Sequence, residues 1–281
     1  MCTEEVSRLK KMAAKIRIHV IEEIFRANSG HPGGSLSIAE VLSVLYFYKM
    51  NIYPENPNQP DRDRFILSKG HAAPAYYAAL AERGFFNTKE LLKLRQLGSF
   101  LQGHPDMRKV PGVDMSTGSL GQGLSVANGM AMAGKYEKMG YSVYAVIGDG
   151  ELEEGQIWEA AMTAAHYKLG NLTVFIDHNG LQIDGPITKV MSPEPIKEKF
   201  IAFGWNVLEI NGHDVEQIIG AVNSSQKNTD KPTVIICKTT KGKGVSFMEN
   251  QVKWHGKSLS QEQYEIAIRE QEETLQRLEG R

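Results

Sequence analysis

The stretch AVIGDGE, Ala145–Glu151, places an acidic residue between two glycines directly after a short apolar run. Thirty positions beyond Asp149, the stretch FIDHNG, Phe175–Gly180, puts Asn179 just after a second apolar run. Short runs rich in β-branched and aromatic residues predict strands, and adjacent parallel strands joined by one crossover helix end at the same edge of a sheet. We therefore expect the Asp149 carboxylate and the Asn179 amide oxygen to converge on one point.

This pair of side chains suits a specific chemistry. Carboxylate and amide oxygens are hard ligands for Mg²⁺, which usually shares its coordination shell with phosphate oxygens and water. Gly150 leaves room for the backbone to approach a phosphate, and its N–H can donate to one. Asp-Gly or Asn-Gly alone is typical of a simple turn. Their occurrence together at this spacing, each behind a strand, favours a site for a metal and a diphosphate.

Short apolar runs alternate with helical stretches along most of the chain. Such alternation predicts an α/β fold, with a mostly parallel sheet that helices cover on both faces. Ligands of these sheets bind where the carboxyl ends of the strands meet the loops. The predicted strands are Phe65–Ser68, Tyr144–Ile147, Leu172–Ile176, Asn206–Ile210 and Thr233–Cys237.

Two helices are predicted ahead of the first strand. Apolar residues recur at helical spacing over Val6–Ile24 and predict an amphipathic helix that stops near Asn28–Gly30. Ser37 and Glu40 form a capping-box pattern that predicts the start of a second helix. The three prolines in Asn51–Asp63 predict a surface connection before the sheet begins.

Residues 1–281 are expected to form a single domain. A chain of this length buries about three quarters of the surface that its unfolded form exposes. No segment rich in Gly, Ser and Pro marks a joint between two cores. The domain would carry an N-terminal helical segment and a charged, solvated helical tail over Ser260–Arg281.

Composition and charge exclude several classes of protein. The 32 basic and 33 acidic side chains are not gathered into a cationic stripe, so we expect no nucleic-acid partner. Two cysteines, Cys2 and Cys237, cannot build the disulfide framework of a secreted protein. Because Met1–Arg8 is unlike a signal peptide and the apolar runs are only strand-length, we expect no membrane partner and a cytoplasmic location.

Two other phosphate motifs are rejected. Gly129–Lys135 has P-loop spacing, but Tyr136 follows where that motif needs Ser or Thr, and the segment lies in a helical run that begins near Ser119. The GDG of the first stretch is followed by Glu153 where a dinucleotide fingerprint needs glycine. Neither pattern predicts a nucleotide site.

The region from Gly148 through Asn179 to Gly185 resembles the thiamine-diphosphate signature. Residue by residue, it is similar to the corresponding region of transketolases. Five further segments in matching order extend the resemblance through nearly the whole chain, which makes it much more specific than the metal pattern alone. They are SGHPGG at 29–34, SKGH at 68–71, QGHP at 102–105, TGSLGQG at 117–123 and WHG at 254–256. The resemblance implies the thiamine-diphosphate-binding fold and, within it, the diphosphate-binding domain.

The resemblance implies ligands for a cation and for the cofactor. Asp149 and Asn179 would bind Mg²⁺, or another divalent cation such as Ca²⁺ or Mn²⁺, through side-chain oxygens, and Leu181 through its main-chain carbonyl. The signature often closes with two asparagines, whereas here His178 precedes Asn179, which keeps the ligand and changes its neighbour. The residues implied to contact thiamine diphosphate are His71, Gly118, Leu120, Asp149, Gly150, Glu154, Asn179 and His255.

The resemblance also implies catalytic residues. The histidines that line the family's substrate channel correspond here to His31, His71, His104 and His255. Glu154 corresponds to a family carboxylate near the contact between the two active sites. Independently, five of the eight histidines adjoin a glycine, and imidazole in a tight loop can exchange protons near neutral pH. One such histidine alone more often packs or caps, but the ordered set favours catalysis. The implied catalytic residues are His31, His71, His104, His255 and Glu154, and His19, His166, His178 and His213 receive no role.

The activity that the resemblance implies is transfer of a two-carbon ketol unit from a ketose phosphate to an aldose phosphate. In the family, the activating glutamate, the aromatic pyrimidine pocket and the groups that grip the sugar phosphate belong to a second domain, for which the sequence up to Arg281 leaves no room. We therefore expect a C-terminal transketolase subunit that carries the pyrimidine-binding domain, in a heterotetramer that serves the pentose phosphate pathway.

Three alternatives stay open. The same fold and cofactor suit a split enzyme that acts on a sulfonated or branched sugar. They also suit a synthase that uses pyruvate as donor, although the histidine set favours transketolase. The third alternative is a non-catalytic subunit that binds the cofactor or regulates a partner, and the intact set of metal-site residues and histidines argues against it.

Overall fold

Seven strands are present in the computed structural model, which describes residues 3–280. They are β1 (Arg64–Leu67), β2 (Val143–Gly148), β3 (Leu172–His178), β4 (Leu181–Gln182), β5 (Gly185–Pro186), β6 (Asn206–Asn211) and β7 (Thr233–Lys238). Five of them form one parallel sheet in the order β1–β2–β3–β7–β6, while β4 and β5 pair separately as a short antiparallel hairpin. The predicted α/β fold is confirmed, and the five predicted strands differ from the observed ones by one or two residues at their ends.

Ten α-helices surround the sheet in the described part of the chain. They are α1 (Thr3–Ala27), α2 (Pro32–Leu36), α3 (Ala39–Val44), α4 (Ala73–Arg83), α5 (Gly123–Tyr136), α6 (Gly155–His166), α7 (Ile187–Val190), α8 (Ile196–Ala202), α9 (Val215–Ser225) and α10 (Gln261–Glu279). Shorter 3₁₀ segments occupy Gly70–Ala72, Thr88–Lys93, Gly150–Glu153 and Val252–Trp254, and a π-helical turn occupies Leu45–Lys49.

Both faces of the sheet are buried under helices. Tyr144 and Val146 of β2 contribute to a core shared with α1, α3, α4 and α9. Val143 and Ala145 point to the opposite face and pack in a second core with α5, α6 and α8. Successive strand residues face opposite sides of a sheet, so burial of both sides explains why the strands read as continuous apolar runs.

The connection between β2 and β3 places the two motif loops side by side. The helix α6 crosses from one strand to the next, and the strands pair in parallel with Gly148 opposite Asp177. The residues that follow each strand, Asp149 and Asn179 among them, therefore leave the sheet at the same edge.

The predicted capping box at Ser37 is wrong. The helix α3 begins after Ile38 and has no side-chain cap. The Ser37 hydroxyl donates instead to the Asp177 carboxylate at 2.7 Å, and the Glu40 carboxylate accepts from Arg17 at 2.6 Å. Both side chains form hydrogen bonds to buried charged partners from distant segments instead of capping the helix, because a charge-assisted hydrogen bond is stronger than a neutral cap.

The two terminal helices pack against each other. The helix α1 ends at Ala27, close to the predicted stop, and Asn28 has a left-handed φ of 46°. Phe25 stacks on Tyr264 of α10 with 4.2 Å between ring centroids, and Ala267 is buried. The predicted C-terminal helix is therefore present, but only one of its faces is solvated.

The remaining segments follow the sequence predictions in most respects. Asn51–Asp63 contains no helix or strand, and Gly129–Lys135 lies inside α5, which begins at Gly123 rather than near Ser119. Within residues 3–280, no helix is long and apolar enough to cross a membrane. Cys237 is a free, buried thiol, and Cys2 lies outside the described residues.

Candidate active site

A hydrogen bond from Gly180 to Asp149 joins the loops after β2 and β3. The Asp149 Oδ2 atom accepts from the Gly180 N–H at 2.5 Å, and its Oδ1 atom accepts from the Gly150 N–H at 2.9 Å. Asn179 precedes Gly180, and its Oδ1 atom accepts from the Leu181 N–H at 3.1 Å. The two motif loops thus share one site at the carboxyl edge of the sheet.

A cavity of about 220 Å³ opens at this edge. The residues that the sequence predicted and that line the cavity are His71, Leu120, Asp149, Gly150, Asn179, Leu181 and His255. Several residues to which the sequence reasoning gave no role line it as well, including Lys69, Asp177, Gln182, Ile183 and Lys241.

The donor set of the cavity fits a hard divalent cation. Asp149 offers a carboxylate, Asn179 an amide oxygen and Leu181 a main-chain carbonyl, which are the ligands that Mg²⁺ prefers. Burial and the nearby Asp177 charge raise the pKa of Asp149 to about 6, and a positive charge beside the carboxylate would offset both causes. Within residues 3–280, no group of three His, Cys, Asp or Glu side chains is placed to hold a metal, so this site would use oxygen ligands from mixed sources.

Asp177 is a buried carboxylate that the sequence reasoning missed. Its Oδ2 atom accepts from the Lys69 ammonium at 2.6 Å. Burial alone would raise the pKa of Asp177, but the Lys69 charge and several hydrogen bonds hold that pKa at about 2. The signal was present in the sequence, since an acidic residue ends the apolar run of β3, where a buried charge needs a partner.

Two buried lysines supply positive charge to the cavity, and the sequence reasoning assigned neither. Lys69 follows β1, and its Nζ atom also donates to the Gly34 carbonyl at 2.6 Å. Lys241 follows β7, and its Nζ atom lies 3.1 Å from both the Leu181 carbonyl oxygen and the His255 Nδ1 atom. Burial and the Lys69 charge lower the pKa of Lys241 to about 8. A lysine within three residues of a strand end was the signal that could have found each of them.

Three histidines from separate segments form one cluster. The ring centroids of His31 and His71 are 5.2 Å apart, those of His71 and His255 are 5.1 Å apart, and those of His31 and His255 are 5.7 Å apart. Burial and nearby cations lower the pKa of His31 to about 4 and that of His255 to about 3, and hold that of His71 well below its ordinary value. All three rings are therefore neutral at pH 7, with one donor and one acceptor nitrogen each.

His104 packs over the glycine of a neighbouring loop. A Cβ atom on Gly118 would lie 2.7 Å from the His104 Cδ2 atom, and the φ of Gly118 is 142°, so this contact requires glycine. Burial and the Arg95 charge lower the pKa of His104. Among the described residues, the buried His31 Nδ1 and Thr117 Oγ1 atoms have no hydrogen-bond partner.

Glu154 stands apart from the cavity lining. It is the exposed residue directly before α6, and a Cβ atom on Gly121 would lie 2.7 Å from the Glu154 Cβ atom. Its role in catalysis and cofactor binding stays a prediction. Leu120, by contrast, lines the cavity with 38% of its surface exposed.

The amino-acid sequence is similar to one protein family and to named proteins within it. Residues 8–273 match the family described as "Transketolase, thiamine diphosphate binding domain". The chain is 46% identical over 275 residues to one of the named subunits of the apulose-4-phosphate transketolase of Phocaeicola vulgatus, and the match covers 98% of each chain. It is also 46% identical over 270 residues to 6-deoxy-6-sulfo-D-fructose transketolase subunit SqwG of a Clostridium species, a match that covers 96% of this chain and 98% of that one.

The fold is similar to that of solved transketolases. It matches the transketolase of Campylobacter jejuni with a TM-score of 0.88 and 36% sequence identity, over 96% of this chain and 43% of that chain. The sequence motifs, the parallel sheet and the meeting of the Asp149 and Asn179 loops agree with these matches. The chain therefore belongs to the transketolase family, in which it represents the thiamine diphosphate-binding domain.

Proposed function

We propose that this chain is the N-terminal subunit of a heteromeric transketolase, which uses thiamine diphosphate and a divalent cation to transfer a two-carbon ketol unit from a ketose phosphate to an aldose phosphate. The observation that carries the proposal is the 2.5 Å hydrogen bond between Asp149 and Gly180, which joins the two motif loops in a cavity that His71 and His255 also line. Family membership supports the cofactor, and the two relatives named as subunits, matched over 98% of their lengths, support a partner chain.

Asp149, Asn179 and Leu181 would hold the cation, with Mg²⁺ as the first choice and Ca²⁺ or Mn²⁺ as substitutes. The three residues supply oxygen atoms from one carboxylate, one amide and one carbonyl, which leaves the rest of an octahedral shell to phosphate oxygens and water. The Gly180 N–H and the Gly150 N–H fix the Asp149 carboxylate from both sides. The Asp149 carboxylate is thus oriented before the cation binds, which lowers the entropic cost of cation binding.

The diphosphate would be held by N–H groups and ammonium groups that line the same cavity. Gly150 offers a backbone N–H, and His71 and His255 offer ring N–H groups. Lys69 and Lys241 add two buried positive charges. Charge-assisted hydrogen bonds to phosphate are about twice as strong as neutral ones, so an ammonium group that reaches the diphosphate would bind it more strongly than a neutral N–H group.

When bound, thiamine diphosphate supplies a stabilised carbanion for cleavage of a carbon–carbon bond. This chain would orient the sugar through His31 and His104, whose lowered pKa values keep both rings neutral at pH 7. Each neutral ring presents one N–H donor and one acceptor nitrogen to sugar hydroxyls. The acceptor nitrogen can take a hydroxyl proton, which gives these residues a role in proton transfer as well as in binding.

A second class of substrate calls for a parallel test. One of the relatives is named for apulose 4-phosphate and the other for 6-deoxy-6-sulfo-D-fructose. Those names favour a branched or sulfonated sugar as the alternative donor for this chain. The partner chain, with the groups that grip the far end of the sugar, would decide between the two classes.

The test combines the purified chain with its C-terminal subunit, thiamine diphosphate and MgCl₂, and follows ketol transfer between sugar phosphates by chromatography. We expect products only when both chains are present, and an assembly with the mass of a heterotetramer. Sulfonated and branched ketoses in parallel reactions distinguish the two substrate classes. Transfer by this chain alone contradicts the division between subunits, and cofactor binding without transfer by the mixture supports the non-catalytic alternative.

A further inference from the structure

One buried carboxylate ties together four loops around the proposed cation site. The Asp177 Oδ2 atom accepts hydrogen bonds from the Ser37 hydroxyl at 2.7 Å, the Lys69 ammonium at 2.6 Å and the Asn179 amide Nδ2 atom at 2.9 Å. Its Oδ1 atom accepts from the Thr239 hydroxyl. The four donors lie in segments that precede α3 and that follow β1, β3 and β7.

The bond from Asn179 to Asp177 decides which way the Asn179 amide faces. The Nδ2 atom of an asparagine can only donate and its Oδ1 atom can only accept. All four partners of Asp177 are donors, so the Asp177 carboxylate accepts a hydrogen bond from the Asn179 Nδ2 atom. The Asn179 Oδ1 atom therefore lies on the other side of the amide. There the Asn179 Oδ1 atom accepts from the Leu181 N–H at 3.1 Å. A flipped amide would set two acceptors against each other at Asp177 and turn an N–H group toward the cation.

We propose that Asp177 is the positioning residue of the cation site, because it accepts the Asn179 Nδ2 hydrogen and thereby presents the Asn179 Oδ1 atom to the divalent cation. The inference rests on the proposed function, since it concerns the cation that accompanies thiamine diphosphate. The Lys69 ammonium, 2.6 Å away, offsets the charge of Asp177 and keeps this carboxylate from competing for the cation. Loss of such a partner behind a metal ligand typically weakens metal binding by about 10- to 100-fold.

The first test measures Mn²⁺ binding by electron paramagnetic resonance, with thiamine diphosphate in excess, on the full chain alone and mixed with its C-terminal subunit. We expect Asp177→Leu, which has a similar shape and no acceptor atom, to weaken Mn²⁺ binding by about 10- to 100-fold. Asp114→Leu is the matched control, because Asp114 is also buried, pairs with Arg62 and accepts from the Phe65 N–H at the start of β1. The control should lower thermal stability and leave Mn²⁺ affinity unchanged.

A second variant keeps the test decisive if Asp177→Leu does not fold. Asn179 is only partly buried, so Asn179→Asp should fold, and its extra negative charge alone would strengthen cation binding. The positioning role predicts the opposite, because Asp177 would then face a carboxylate instead of an N–H donor.

The outcomes separate this inference from the proposed function. Unchanged Mn²⁺ affinity in Asp177→Leu, or tighter binding in Asn179→Asp, overturns the positioning role. If the unaltered chain binds no Mn²⁺ with thiamine diphosphate, either alone or in the mixture, the proposed function is overturned instead.

Discussion

The Lys241 Nζ atom donates to the main-chain carbonyl oxygen of Leu181 at 3.1 Å, the same oxygen that the sequence resemblance assigns to the metal. A carbonyl oxygen has two lone pairs, so it can accept from the lysine and face a cation at the same time. Lys241 also lies 3.1 Å from His255 Nδ1. One buried ammonium therefore links the proposed cation site to the histidine cluster.

Replacement of Lys241 should weaken binding of the diphosphate more than binding of the rest of the cofactor. Lys241→Met keeps most of the stem but removes a charged donor, which costs about 1.5 to 3 kcal/mol, or about 10- to 150-fold in affinity. Isothermal titration with thiamine diphosphate and with thiamine measures the difference. The control is Lys243→Met, since Lys243 is only half-buried and pairs with Glu249. Equal losses for the two ligands would show that Lys241 does not act on the diphosphate.

Loss of the Asp149 carboxylate should abolish Mg²⁺-dependent binding of thiamine diphosphate. Of the three protein ligands proposed for the cation, Asp149 alone carries a charge, and its carboxylate also joins the two motif loops through Gly180. Titration of Asp149→Ala with cofactor, with and without MgCl₂, should give no magnesium-dependent signal. Asp184→Ala removes the same charge from an exposed position in the β4–β5 turn and should bind normally. Unchanged affinity in Asp149→Ala would contradict the assignment of the metal site.

His19 should make the stability of the fold depend on pH, far from the proposed active site. Burial lowers the pKa of His19, but hydrogen bonds to Glu22 and Glu82 outweigh burial and raise it to about 9. Because the folded-state pKa lies above the unfolded value of 6.5, the stabilisation is complete below pH 6.5 and is lost as pH rises through about 9. After solvent screening we expect a loss of about 1 to 2 kcal/mol across this window.

Urea unfolding at pH 6, 7.5 and 9 measures the His19 contribution. His19→Gln should remove the decline that the histidine causes and give a flatter dependence of unfolding free energy on pH. His166→Gln is the control, since His166 is exposed at the end of α6. Parallel curves for the unaltered chain and His19→Gln would show that this ion-pair cluster does not titrate as expected.

A methyl group at Gly70 should disturb the cofactor site through the backbone. A Cβ atom there would lie 2.8 Å from Gly118 N and 2.8 Å from Thr117 C, neither of which can move like a side chain. Gly70→Ala should cost about 1 to 3 kcal/mol of stability and weaken cofactor binding, because His71 is the next residue. Gly129→Ala, in α5 with open space around it, should instead stabilise the fold by about 0.5 to 1 kcal/mol. Thermal unfolding and cofactor titration of both variants check the contrast.

Local sequence patterns predicted the parts of the site that depend on the sheet. Asp149 and Asn179 were found because each follows a run of strand-forming residues, and parallel strands end at a common edge. The same patterns failed at Ser37, where a capping box was predicted and the hydroxyl instead donates to Asp177, 140 positions away. Lys69 lies in the SKGH segment at 68–71 but received no role, because nothing in the local sequence shows that its partner is Asp177.

The sequence alone determined the α/β fold, the parallel strands and the meeting of the two motif loops, because hydrophobic periodicity and strand-end position are properties of short segments. Only the tertiary structure decided that Asp177 accepts hydrogen bonds from Ser37, Lys69, Asn179 and Thr239. It also decided that Lys241 donates to the Leu181 carbonyl. Apart from Asn179, which is two positions from Asp177, these partners are far apart in the chain. A buried charge takes whichever donors the completed fold brings to it, so packing and not local pattern selects them.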